Sequence, residues 1–273
     1  MFRSLIAALL LSGATMSLAA PIAYPATARG PVVETQHGTP VADPYRWLEG
    51  DVRTEQPVAE WVAAQNRVTR AHLATLPQRD AIKARLTQLF DHERVTLPLA
   101  RGGRIFFRRN SGLQNQSVLV VQDGDPGAAG GATPRVLIDP NGWATDGATA
   151  LAEWAPSPDG KRVAYAVQDG GSDWRVIKVL DVASGAVLGD ELDWVKFSGI
   201  AWNADASGFY YSRHPASPKG KDFVSAVFDH SVFFHRIGTP QSADTPIYAS
   251  PDNRGYYNIA ETSEDGRWLV IRS

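Results

Sequence analysis

The sequence predicts a mainly β fold: an incomplete β-propeller of about three and a half blades, preceded by an N-terminal helical arm. Three observations carry that prediction. The apolar period changes from helical to strand-like near Leu97, a Trp-and-turn unit then recurs about every 50 residues, and residues 97–273 hold about three and a half such units. The repeat is clearest where Trp154-Ala155-Pro156-Ser157-Pro158-Asp159-Gly160 precedes Val163-Ala164-Tyr165, and where Trp202-Asn203-Ala204-Asp205-Ala206-Ser207-Gly208 precedes Phe209-Tyr210-Tyr211. The two tryptophans are about 48 residues apart, as are the two glycines. Ser263-Glu264-Asp265-Gly266 before Trp268-Leu269-Val270-Ile271 is a third copy. Closed propellers have roughly four to eight blades, so a ring of this length does not close, and its last strand lacks a successor to cover its edge. The chain is therefore expected to be the N-terminal piece of a longer protein.

The elements follow in order. Arg3, the apolar run Leu5–Leu11 and the small residues Ser17-Leu18-Ala19-Ala20 have the layout of a secretory signal over residues 1–20. Cleavage is expected near Ala20, placing the mature chain in the periplasm or outside the cell. Residues 21–96 form the arm. Its first part carries Pro21, Pro25, Pro31, Pro40 and Pro44 and reads as irregular, anchored by Tyr45, Trp47 and Leu48. Val58, Trp61, Val62, Val68 and Leu76 then recur at helical spacing between Thr54 and Leu76. Pro77 breaks the run, and Ile82, Leu86 and Leu89 begin a second helix ending near Asp91, which makes a helical hairpin. Residues 97–273 are the partial propeller. Its strands are expected at Arg104–Phe107, Ser117–Val121, Val136–Ile138, Arg162–Val167, Arg175–Val182, Phe209–Ser212, Ser231–Ile237 and Arg267–Ile271, separated by Gly, Asp and Ser turns.

Composition narrows the function. The chain of 273 residues is 44% hydrophobic and 21% charged, a globular mix that excludes wholesale disorder. A net charge of −2 gives no field to recruit nucleic acid or an anionic membrane, and after signal removal nothing approaches a membrane span. Cysteine is absent, which excludes disulfides, thiolate zinc sites and a cysteine nucleophile.

Several motifs resemble the N-terminal region of the prolyl oligopeptidase family of serine peptidases. They are Tyr24-Pro25, His37-Gly38, Asp43-Pro44-Tyr45-Arg46-Trp47-Leu48-Glu49, Gln65-Asn66, Gly112-Leu113-Gln114-Asn115-Gln116, Asp139-Pro140-Asn141, Gly171-Ser172-Asp173-Trp174 and Val195-Lys196-Phe197-Ser198. The resemblance runs from about Ile22 to Ser273, with departures at Gly124–Pro134 and His214–His230. It implies a seven-bladed propeller, here represented by about half, that gates substrate access to an α/β-hydrolase domain. It also implies cleavage of short peptides after proline by a Ser, an Asp and a His on that second domain. Those groups are expected to be absent here, so residues 1–273 are expected to be inactive alone.

The residues agree that no catalytic group is evident. A serine nucleophile of this class needs a Gly-x-Ser-x-Gly elbow, and Gly170-Gly171-Ser172-Asp173-Trp174 lacks the last glycine and the following helix; Ser172 reads as a turn residue. His37, His72, His92, His214, His230 and His235 include no His-x-x-x-His pair, so neither a metal nor a cofactor is expected. Asp159, Asp205 and Asp265 sit in glycine turns, where Asp commonly accepts from turn amides. The resemblance implies that Phe197 presents an aromatic ring to bound peptide, with Tyr257 a second contact. Short proline-containing peptides are then the expected partners once a catalytic domain is joined. The alternative is a stand-alone periplasmic propeller acting as a protein-binding module.

Overall fold

The computed structural model describes residues 22–124, 132–217 and 227–273. The expected signal segment at 1–20, most of the small-residue loop after Gly124 and the middle of the stretch between His214 and His230 lie outside them. The chain divides into two compact units, Met1–Ala84 and Arg85–Ser273.

The first unit corrects one expectation. The proline-rich stretch is not irregular throughout: β1 (Val33–Gln36) and β2 (Thr39–Ala42) form an antiparallel hairpin. Its two-residue turn, His37-Gly38, has both φ angles positive, at 49° and 82°, the combination that matches the right-handed twist of the strands. Pro40 faces Thr35, one step beyond the Gln36–Thr39 pair that closes the turn. That step is a non-hydrogen-bonded position, so the missing proline N–H costs the ladder nothing.

The indoles hold the arm together. Trp47 Nε1 donates to Ala28 O at 2.9 Å, and Trp61 Nε1 donates to Thr27 Oγ1 at 3.0 Å. Trp61 belongs to helix α1 (Gln56–Ala74), which starts with a proline in its first turn and buries Val58. After Pro77, helix α2 (Arg79–Phe90) follows, with Ile82, Leu86 and Leu89 about half exposed.

The second unit is mainly β, a partial propeller. β3 (Arg94–Val95) and β4 (Leu99–Arg101) both pair with β5 (Arg104–Asn110), which is followed by β6 (Val118–Asp123) and β7 (Arg135–Ile138) in a first blade. The second blade is β8 (Ala150–Pro156), β9 (Arg162–Gln168), β10 (Arg175–Asp181) and β11 (Val187–Val195). The third is β12 (Ala201–Trp202), β13 (Gly208–Arg213), β14 (Ser231–Arg236) and β15 (Thr245–Tyr248). β16 (Ile259–Thr262) and β17 (Leu269–Arg272) pair as the start of a fourth. All pairings are antiparallel, and β11 meets β13 only at Val195–Arg213. Each unit of about 50 residues in the sequence is thus one meander of short strands.

The strand period of two explains the core. Along β9, Val163 and Tyr165 pack toward the first blade with Phe106, Leu119, Val121 and Ile138, while Ala164 and Ala166 pack toward the third with Trp202, Phe209 and Tyr211. The register carries the division into β10, where Leu180 lies opposite Val163 and Val179 opposite Ala164. The middle of β9 is apolar on both faces because it serves two inter-blade cores.

The Asp-Gly turns close the meanders as the residue types require. Asp159 accepts from Ser157 Oγ at 2.6 Å and from Lys161 N at 3.1 Å. Asp205 accepts from Ser207 N, and Asp265 from Ser263 Oγ and Arg267 N. Gly160 and Gly266 sit at φ 66° and 67°. At Gly160 a methyl group would lie 2.6 Å from Arg101 O of the first blade, so that position also needs the close backbone approach only glycine permits.

Candidate functional site

The segment after β11 breaks the regularity of the blades. Trp194 and Phe197 both adopt positive φ, 62° and 52°, a left-handed conformation that bulky side chains rarely take. Such backbone costs roughly 1–3 kcal/mol per residue and persists only when its surroundings fix it. Here they do. His214 N donates to Trp194 O at 3.1 Å, and Ser198 Oγ accepts from Ser212 N at 2.7 Å while donating to Gly199 O at 2.6 Å. His230 Nε2 donates to Lys196 O at 2.8 Å.

The result is an aromatic ring held out from the blade. Phe197 is 40% exposed and meets Tyr257, 45% exposed, edge to face with ring centroids 5.1 Å apart. The two residues expected as substrate contacts, about 60 positions apart in sequence, therefore form one surface. The Lys196 ammonium lies 5.4 Å from the Phe197 ring and 5.1 Å from the Trp174 ring, and 3.7 Å from Asp173. Trp174 stands edge-on to both Trp194 and His214.

Beneath Tyr257 lie two buried histidines whose rings are 4.7 Å apart. Burial pushes the His230 imidazole down to about 4, with the neighbouring His214 acting in the same direction. Burial also lowers His214, against the Phe228 carbonyl that accepts from its Nδ1 at 2.9 Å. Both rings are neutral near pH 7.

A third buried histidine behaves oppositely. His235 Nδ1 is 2.7 Å from Asp244 Oδ1, and its Nε2 is 3.0 Å from Asp190 Oδ1. Burial opposes the charge, but the two carboxylates outweigh it, Asp244 first, and raise the His235 pKa. Tyr211 OH donates to Asp244 at 2.6 Å, and burial together with that carboxylate raises the phenol. An Asp–His contact suggests part of a hydrolytic triad, yet here both ring nitrogens face carboxylates and the ring is fully buried. Its role is to tie β11 of the second blade to β14 of the third.

The remaining sequence-predicted residues have structural places. Ser172 Oγ accepts from Trp174 N at 3.1 Å within the β9–β10 turn. Among the described residues no group of three or more His, Asp or Glu side chains is arranged to hold a metal ion. No described helix is long and apolar enough to cross a membrane. A separate open cleft of about 700 Å³ runs along the first strands of the blades, lined in part by Glu153, Trp202, Glu261 and Glu264. Burial raises Glu153 there. Sequence reasoning missed the Asp190–His235–Asp244 cluster and the role of His230, because their partners come from different blades.

Comparisons with known proteins bear on this arrangement. The family described as "Prolyl oligopeptidase, N-terminal beta-propeller domain" matches residues 25–273. A prolyl endopeptidase of Elizabethkingia meningoseptica is 38% identical over 248 residues, covering 91% of this chain and 34% of the relative. The dual function macrocyclase-peptidase POPB of Galerina marginata is 31% identical over 278 residues, covering 92% and 37%. Among solved structures, prolyl oligopeptidase B from Galerina marginata bound to a 25mer macrocyclization substrate superposes with a TM-score of 0.72 at 30% identity, covering 92% of this chain and 37% of that one. A structure from a study of two prolyl endopeptidases and their inter-domain dynamics gives 0.59 at 49% identity, covering 91% and 34%. The chain thus spans about a third of the length of the relatives it matches.

Proposed function

Because this chain belongs to the prolyl oligopeptidase family, matching its N-terminal β-propeller domain, we propose that it is the substrate-gating portion of an exported serine peptidase that cleaves short peptides after proline. The observation that carries this reading is the Phe197–Tyr257 surface. Two half-exposed rings meet there edge to face, and Phe197 is held on strained backbone. An edge-to-face pair offers an apolar wall suited to a proline-containing peptide, and Lys196 beside it suits a peptide carbonyl or carboxylate.

In this reading the reaction is acyl transfer to water: a serine oxygen attacks the carbonyl carbon of the proline, a histidine takes its proton and gives it to the leaving amine, water then displaces the acyl group from the serine, and an aspartate orients the histidine. The present sequence contains no Gly-x-Ser-x-Gly elbow, and His230 and His235 are engaged in buried structural bonds, so residues 1–273 contribute substrate contact and access. Export is supported by Arg3, Leu5–Leu11 and the small residues ending at Ala20.

Titration of the full chain with a blocked Gly-Pro amide, followed by amide NMR, tests the reading. Shifts confined to residues 196–198 and 256–258, and abolished in F197A, are expected. Shifts that ignore this region, or that persist unchanged in F197A, overturn it.

A further inference from the structure

The Phe197 loop and the Tyr257 loop come from different blades, and one buried imidazole bridges their backbones directly. His230, 1% exposed and immediately before β14, donates from Nε2 to Lys196 O at 2.8 Å. Its Nδ1 accepts from Asn258 N at 2.9 Å, and Asn258 Nδ2 returns a bond to His230 O. The residues so bridged are the neighbours of Phe197 and Tyr257. The Tyr257 ring also rests on the His230 ring at 5.5 Å, so the imidazole is both tether and floor.

We propose that His230 is the positioning residue for the Phe197–Tyr257 pair, acting only as the neutral Nε2–H tautomer. The reason is hydrogen-bond polarity. Asn258 offers an N–H and Lys196 a carbonyl, so the bridge needs one accepting and one donating nitrogen. An imidazolium has two donors, and its Nδ1–H would oppose the Asn258 N–H. The substrate role of the pair rests on the function proposed above, but the positioning role does not.

The surroundings keep the ring in that state. His214 faces it across 4.7 Å, with its own Nε2 unpartnered among the described residues. Lys196 presents its carbonyl to His230 while its ammonium lies over Trp174 and Phe197. Tyr257 covers one face, and the adjacent Asp229 is occupied by Arg254 at 2.7 Å. Burial thereby favours the neutral ring down to about pH 4.

The test uses the full chain. Long-range ¹H–¹⁵N spectra should show His230 as the Nε2–H tautomer at pH 7, with ring-to-ring NOEs between Phe197 and Tyr257. Those NOEs should vanish as pH falls through about 4. H230Q can donate and accept along the same line without titrating, so it should keep the NOEs through that range. H230L should lose them at every pH and weaken binding of a blocked Gly-Pro amide roughly tenfold. An Nδ1–H tautomer, NOEs that persist in H230L, or NOEs in H230Q that vanish with pH as in the parent would overturn the proposal. If H230L does not fold, the parent and H230Q decide it. If the parent never binds the peptide, the functional reading fails, while the tautomer and NOE results still judge this one.

Discussion

The two ends of β14 carry histidines that differ in nothing but company. His230 and His235 are both essentially fully buried, five positions apart on the same strand and its lead-in. At one end the partners are a carbonyl, an amide N–H and another histidine, and the ring is driven neutral. At the other, Asp244 and Asp190 favour the protonated ring and raise its pKa. Burial penalises charge at both and sets the shift at His230, whereas at His235 the carboxylates of Asp244, in its own blade, and Asp190, in the second, reverse it. The ionic end fastens the second blade to the third, and the neutral end shapes the surface that holds Phe197.

The sharpest way to break this contrast is H235L. It would leave Asp190 and Asp244 buried without their shared imidazole, and a loss of about 3–5 kcal/mol in urea unfolding is expected. At the neutral end, H230L removes two hydrogen bonds and leaves the Asn258 N–H without its acceptor, and the expected loss is about 1–3 kcal/mol.

A gentler probe is pH, worth at most about 1.4 kcal/mol per pH unit per histidine. His230, depressed from 6.5 to about 4, stabilises the fold above pH 6.5, and this contribution is lost as pH falls toward 4, because the unfolded chain takes up the proton first. His235, raised above 6.5, stabilises it below that pH and loses this contribution as pH rises through its folded value. The pair should therefore give a stability maximum near pH 6.5. Denaturation midpoints across pH 4–9 would measure it, and H230Q should flatten only the acidic limb. The smallest effect belongs to D159A, in a half-buried turn of the second blade away from both histidines. A loss below about 1 kcal/mol, with no change in either limb, would show that the contrast is local to β14.

How legible this was in the sequence depended on range. The blade unit was visible because its marks are local: Trp154 and Trp202 head equivalent strands, and Asp159, Asp205 and Asp265 accept from amides two residues on. Strands β3, β4, β8, β11, β12, β15 and β16 lie outside the strand runs expected from the sequence. β11 is interrupted by Gly189, Asp190, Glu191 and Asp193, and β12 has two residues, so neither gives a clean alternation. The β1–β2 hairpin was hidden by Pro40, whose register makes it harmless. The Phe197–Tyr257 surface came from family resemblance alone. Nothing within reach of Asp190, His235 or Asp244 along the chain marks them as one cluster, since a propeller brings them together only after two blades have stacked.

That stacking has a consequence for how the protein is made. Arg104 of the first blade donates to Gly160 O of the second, Trp202 and Gln241 of the third donate back to Ala155 O and Asp193 O of the second, and Ser212 of the third reaches Asn258 O at the start of the fourth. Each of these ties joins immediate neighbours. A blade leaving the ribosome therefore finds its earlier partner already synthesised and needs only about 50 further residues for the next, so assembly can proceed vectorially, each finished blade serving as the template on which its successor is laid.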